Sequence, residues 1–259
     1  MKPEPPEPQE FQVSGMGRLP SDWSEAALLV NKPAGWTSFD VVRRLRRLLH
    51  VKKIGHAGTL DPMATGLLIC MVGKATKKME LFMGMSKLYT GTLRLGETTP
   101  SYDADSEVET NKPWQHLTPE DLDHVRATFV GLISQTPPMF SAVKVEGERL
   151  YKKARRGEHI ARSSRHVEIT RFVITGWVGP DVSFEVACTK GTYIRALAHD
   201  FGERLGVGAH LIALCRVAIG SYRVEQAWSL EALENALSTR SNQQEPVQEP
   251  SVPASGPKG

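Results

Sequence analysis

Twelve residues at 55–66, Gly-His-Ala-Gly-Thr-Leu-Asp-Pro-Met-Ala-Thr-Gly, constrain this chain more than any other stretch. Three glycines and a proline in twelve residues suggest a tight, shaped loop between two regular elements. Asp61 stands directly before Pro62, which biases it to an extended or turn conformation and aims its carboxylate away from the local backbone. The glycines form neither the Gly-x-x-x-x-Gly-Lys phosphate loop nor the opening of a dinucleotide-binding unit. On this evidence alone Asp61 reads as a turn residue, because Asp-Pro is a common turn dipeptide.

The elements around the loop follow from periodicity. Ala26 to Val30 reads as a buried strand closed by Lys32-Pro33. Ser38 is expected to cap a helix running to about His50. In that helix Val41, Val42, Leu45, Leu48 and Leu49 share one face, and Arg43, Arg44, Arg46 and Arg47 lie opposite. Lys87 to Leu95 suits a strand. Thr118-Pro119 with Glu120 and Asp121 opens a helix expected to end near Gly131. Val182, Phe184, Val186 and Cys188 alternate with polar or small residues, the period of a half-buried strand. Gly191 turns the chain and Thr192 is expected to cap a helix with Ile194, Leu197, Ala198, Phe201 and Leu205 inward, stopped at Gly206. Strands and helices do not alternate strictly, so the fold class is α+β.

Composition bounds the rest. With 40% apolar residues the chain can bury a core. No apolar run approaches the roughly 20 residues that span a bilayer. Cys70, Cys188 and Cys215 are widely spaced in apolar stretches, which suits buried, reduced thiols in a cytoplasmic protein. The eight histidines lack metal-ligand spacing, so no metal is expected. The acidic start is neither a secretion signal nor a transit peptide. Residues 1–25 are expected to form a disordered leader, and 238–259 a disordered tail rich in Pro, Gln, Ser and Glu. Between them, residues 26–237 hold 28 bases against 22 acids, a charge of +6. That permits a nucleic-acid partner without requiring one.

The segment 55–62 resembles the catalytic motif of the TruB family of tRNA pseudouridine synthases. The match extends through Asn31-Lys32-Pro33-Ala34-Gly35-Trp36-Thr37-Ser38, Ser101-Tyr102-Asp103-Ala104-Asp105, Thr136 to Lys144 and Lys190-Gly191-Thr192-Tyr193-Ile194-Arg195. Five motifs in the family's order cover about 26–237. The resemblance implies a pseudouridine synthase fold, a mixed and mainly antiparallel sheet flanked by helices. It implies isomerisation of the T-loop uridine of tRNA, position 55 in tRNA numbering. The substrate would be the tRNA T arm, with no cofactor, no protein partner and a monomeric enzyme.

The same resemblance assigns roles. Asp61 is the catalytic residue; it attacks the sugar or the base, or helps remove a sugar proton, and the sequence leaves all three routes open. Arg195 matches the arginine that pairs with that carboxylate. Alone it would be a first-turn helix residue that the helix dipole slightly disfavours, which makes better sense with a carboxylate facing it. Tyr89 matches the aromatic that stacks on the target base, Tyr193 a second active-site tyrosine, and His56 a residue contacting the substrate loop. Lys32 and Pro33 match a motif that shapes the wall of the site.

Two basic stretches suit phosphate contacts. One is the helix face with Arg43, Arg44 and Arg47. The other is 144–165, with Lys144, Lys152, Lys153 and Arg155, which resembles the family's RNA-gripping insertion. The chain departs from the pattern in two places. The stretch after Leu237 is too short for the C-terminal RNA-binding domain of the PUA type that many members carry, so that domain is expected to be missing. Cys215 stands where relatives often have Arg, while Arg216 remains. Two other readings are a guide-RNA-dependent relative and a non-catalytic RNA-binding or RNA-folding module; the set Asp61, Tyr89, Tyr193 and Arg195 speaks against the second.

Overall fold

The computed structural model describes residues 12–141, 144, 145, 147–149, 156 and 160–244. A ten-stranded sheet organises them. Its main path runs β1 (Gln12–Ser14), β2 (Glu25–Lys32), β4 (Thr65–Gly73), β13 (Ala209–Ile219), β5 (Lys87–Leu95), β12 (Asp181–Cys188), β11 (Arg165–Val178) and β8 (Gly131–Gln135). β3 (Ile54–His56) pairs with β4, and β14 (Tyr222–Arg223) with β13. Only β1–β2 and β4–β13 are parallel, so the expected mixed, mainly antiparallel sheet is the one observed. Two small ribbons stand apart: β6 (Glu97–Thr98) with β7 (Thr110–Asn111), and β9 (Lys144–Val145) with β10 (Glu148–Arg149).

The sheet has two halves with different surroundings. β2 and β4 are covered on both faces, which is why their sequences run nearly continuously apolar. Ala26, Leu28 and Val30 pack against α1 (Ser38–Leu49) and the last helix, α5 (Leu230–Gln244). Ala27 and Leu29 face the opposite way, toward Phe82 of α2 (Met79–Gly84). In the other half, the alternating residues of β12 bury Val182, Phe184, Val186 and Cys188 against α4 (Ile194–Arg204) and α3 (Pro119–Ala127). β13 joins the halves. It runs the length of β5 but meets β4 only at Cys215–Thr65 and Arg216–Gly66. Gly66 has φ +100°, and a Cβ there would come within 2.4 Å of the Arg216 carbonyl oxygen, so only glycine fits this seam. The Asp61 loop leaves β3 after His56, opposite Cys70, and ends at this seam.

Several boundaries differ from expectation. The described part of the expected leader has regular structure: β1 adds to the edge of β2, and Met16 N–H donates to Gln226 O at 2.7 Å. The tail is helical through Gln244. The two flanks hold each other, since Arg240 donates from Nη1 to Pro20 O at 2.7 Å and from Nη2 to Ser21 O at 3.1 Å. Polar flanks of this kind are fixed by hydrogen bonds that composition does not reveal. The cap of α1 is Thr37, not Ser38, and it forms a capping box with Asp40. α3 stops at Ala127, before β8 begins at Gly131. Thr192 does not cap α4; its hydroxyl donates to Thr189 O.

Candidate active site

Asp61 sits in the loop between β3 and β4, and nearly every handle of that loop is held. Arg216, 1% exposed, donates from Nη2 to Gly58 O at 3.1 Å, with Nη1 3.5 Å from Thr59 O and Nε bonded to Leu67 O at 2.7 Å. Ser38 is buried; its hydroxyl donates to Leu60 O at 3.1 Å and accepts from Leu60 N–H at 2.9 Å. Pro62 O accepts from Gly35 N–H at 2.9 Å and from Lys32 Nζ at 3.2 Å. Ala64 N–H closes the turn on Asp61 O. The backbone beneath the carboxylate is therefore fixed before any ligand arrives, which lowers the cost of orienting it.

The carboxylate itself is fixed by Arg195. Nε donates to Oδ2 at 2.9 Å and Nη2 to Oδ1 at 3.1 Å, a two-pronged pairing. The remaining donors are also used: Nη2 reaches Phe140 O at 2.7 Å, and Nη1 reaches Ser101 O at 2.8 Å and lies 3.3 Å from Asp103 Oδ2. The side chain of Arg195 is 4% exposed and that of Asp61 34%, so the arginine is sealed while the carboxylate keeps an open face. Asp103 is buried, and its Oδ1 accepts from Ser101 Oγ and from Asp105 N–H. One guanidinium thus faces two carboxylates. Asp105 beside them has its pKa raised, by burial first and then by the charges of Asp103 and Asp61.

The start of α4 explains how Arg195 reaches this position. No side chain caps the helix at Tyr193. Instead Gln135, buried at the end of β8, accepts from Tyr193 N–H at 2.7 Å and donates to Tyr193 O at 3.0 Å. Pairing with Asp61 and Asp103 offsets the unfavourable dipole at a helix start.

The aromatic residues take separate places. Tyr89 on β5 is 8% exposed, packs with Leu60 and Ala64 of the loop, and hydrogen-bonds Arg216. Burial raises its pKa and Arg216 opposes this. Tyr193 is half-buried with the Arg165 guanidinium 4.6 Å from its ring centroid. His56 is half-buried; burial first, then the Arg216 charge, push its pKa down, so it is neutral near pH 7. Lys32 is fully buried. Its ammonium donates to the carbonyls of Pro33, Trp36 and Pro62, and burial pulls its pKa down to about 8.

The basic residues are less uniform than the sequence suggests. Arg43 pairs with Asp40, and Arg44 donates to both oxygens of Glu234 on α5. Arg47 is exposed. Lys144 lies in β9. Lys152, Lys153 and Arg155 lie outside the described residues.

Arg216, Ser38 and Asp103 are the site residues that sequence reasoning did not assign to this work. Asp103 stood inside a quoted motif without a role. Arg216 left a local signal, a charged residue inside the apolar run Leu-Cys-Arg-Val-Ala-Ile.

Two family models match in series: the N-terminal domain of the TruB family pseudouridylate synthases over residues 46–194, and the C-terminal domain of tRNA pseudouridylate synthase B over 195–250. A tRNA pseudouridine synthase B of Opitutus terrae is 48% identical over 210 residues, covering 81% of this chain and 87% of that protein. One of Parabacteroides distasonis is 48% identical over 216 residues, covering 81% and 92%. Among solved structures, a chain of a Cbf5–Nop10–Gar1 complex superimposes with a TM-score of 0.67 at 28% identity, covering 86% of this chain and 57% of that one. That relation is the more distant.

Proposed function

This chain belongs to the TruB family of pseudouridine synthases, and from that premise we propose that it converts a tRNA uridine to pseudouridine with Asp61 as the catalytic carboxylate. The substrate is the uridine at position 55 in the T loop, and the enzyme acts without a cofactor or protein partner. The observation that carries the reading is the Arg195 fork on a carboxylate whose loop is otherwise immobilised.

The reaction needs little more than a placed carboxylate and a sheltered base. The target base leaves the stack, at a cost of a few kcal/mol. Asp61 promotes cleavage of the bond from N1 to C1′. The uracil turns over, and C5 bonds to C1′. The proton lost from C5 is balanced by one gained at N1, so nothing enters or leaves overall. Tyr89 supplies a ring beside the Asp61 loop for stacking, worth roughly 1–3 kcal/mol per base. Tyr193 is the second ring of the site, and His56 meets the RNA as a neutral imidazole. Phosphates are held by Arg47 and by Lys144, Lys152, Lys153 and Arg155. Arg43 and Arg44 contribute less, because acidic partners already hold them.

The test is incubation of the purified protein with an unmodified tRNA transcript, followed by chemical mapping. One pseudouridine at position 55 is expected, and its absence with protein alone would overturn the reading. Asp61→Asn should abolish product while tRNA binding survives.

A further inference from the structure

A groove of about 390 Å³ opens between α1, β3 and α2. Its walls include Phe39, Arg46, His56, Thr59, Met79 and Met83, and Thr59 connects it directly to the Asp61 loop. Two of its large apolar side chains are left uncovered, Phe39 at 57% exposure and Met83 at 45%. Arg46 stands over the Phe39 ring with Cζ 5.6 Å from the centroid, anchored by an Nη2 bond to Ile54 O at 3.0 Å. Its Nε is buried without a partner. Arg46 is also the wall shared with a second cavity, of about 440 Å³, lined by Arg47, His50, Val51 and Lys52.

An aromatic and thioether shelf therefore adjoins a hollow lined by basic side chains. An apolar peptide would use the shelf and leave those cations unanswered. A nucleotide answers both, with a π-face for Phe39 and an anionic phosphate for the basic side chains. The position within the molecule narrows the choice. Flipping a target base at Asp61 strips its neighbour of a stacking partner, and the exposed face of that neighbour needs a new cover.

We propose that this groove is a subsite for an unstacked nucleotide adjoining the target uridine, its base on Phe39 and its phosphate across Arg46 among Arg47, His50 and Lys52. The inference rests on the function proposed above, and the test separates the two.

T-arm RNA hairpins carry 2-aminopurine at each nucleotide flanking the target in turn. Binding is read by base fluorescence and turnover by pseudouridine mapping. With the wild type, one flanking position is quenched. Phe39→Ala should lose that quenching and raise KM about tenfold with kcat little changed, and Phe39→Tyr should restore both. The ring is more than half exposed, so thermal melting should not move. Lys52→Gln should lower the slope of log K against log[salt] by about 0.7, the share of one phosphate contact. If the wild type forms pseudouridine while Phe39→Ala and Lys52→Gln bind and react as it does, the subsite is wrong and the function stands. A fall in kcat at unchanged KM in Phe39→Ala would likewise overturn it. Flanking-base quenching without any pseudouridine would retain the nucleotide site and overturn the enzymatic reading. Neither signal from the wild type would overturn both.

Discussion

Arg195 and Arg216 are both buried and both hold the Asp61 loop, yet their partners differ in kind. Arg195 meets two carboxylates, Asp61 and Asp103, and spends its other donors on the Ser101 and Phe140 carbonyls. Arg216 meets the carbonyls of Gly58, Thr59 and Leu67 and the Tyr89 phenol. The first holds a side chain and the second holds a backbone. The electrical consequence differs as well. The charge of Arg216 is felt by Lys32, His56, Cys70, Lys87 and Tyr89, each of which titrates lower on its account. Arg195 is matched by the two carboxylates it holds, and its charge opposes the rise at Asp105. A carbonyl-held guanidinium thus keeps the floor of the loop positive, while a carboxylate-held one has its charge answered by acids and fixes the direction of the side chain it holds.

If this division is right, the sharpest break comes at Arg195. Arg195→Lys keeps the charge but removes the fork, and an ammonium cannot bond both Asp61 oxygens and three further acceptors in fixed directions. Misplacing a reacting group by about 1 Å costs on the order of 100-fold, so single-turnover pseudouridine formation should slow by about that factor. A rate within a few-fold of wild type would show that charge alone suffices.

Arg216→Met should act on the fold more than on the chemical step. It leaves the carbonyls of Gly58 and Leu67 without their donor, at roughly 1.5–3 kcal/mol for each lost bond to a charged group. Urea unfolding should show a loss of about 3 kcal/mol, and activity measured on the still-folded protein should fall less than in Arg195→Lys. The pKa of His56 should rise toward its ordinary value once the neighbouring charge is gone, which NMR titration would detect. Tyr89→Phe is gentler, since it keeps the ring and removes only the phenol bonded to Arg216. A loss of about 1 kcal/mol in stability is expected, read as a small drop in melting temperature.

The comparison also marks what a sequence carries and what it does not. The strand alternation at 182–188 and the two-sided burial of 26–30 were legible because each depends on neighbours within a few residues. So was the Asp61 turn. The fork was legible only through a family motif, because Asp61 and Arg195 lie 134 residues apart and nothing local links them. The work of Arg216 is bound to carbonyl groups, and carbonyls leave no trace in residue identity. Ser38 illustrates the same point: it looks like a cap, but Thr37 caps the helix and frees Ser38 to grip Leu60. Local chemistry predicts that a hydroxyl will bond to backbone, and tertiary packing decides which backbone.

A further contrast, read through pH, lies on α4 itself, eleven residues that carry both Arg195 and Asp200. Asp61 has a guanidinium fork, whereas Asp200 has burial without one. Burial pushes its pKa up to about 6 from an ordinary 3.8; Arg204 opposes the rise and Glu203 adds to it. The sign follows from proton counting. Between about pH 4 and 6 the folded protein holds a proton on Asp200 that the unfolded chain has lost, so this group's contribution to stability declines as pH rises through that window. Above about 6 both forms are ionised, and the folded state keeps the cost of a half-buried charge. Asp200→Asn removes the charge, so the variant should gain on the wild type as pH rises from 4 to 7 and hold a constant advantage beyond. Unfolding curves across that range test it. A parallel pH dependence in the two proteins would mean that Arg204 already serves Asp200 as Arg195 serves Asp61, and the contrast between the two carboxylates would be lost.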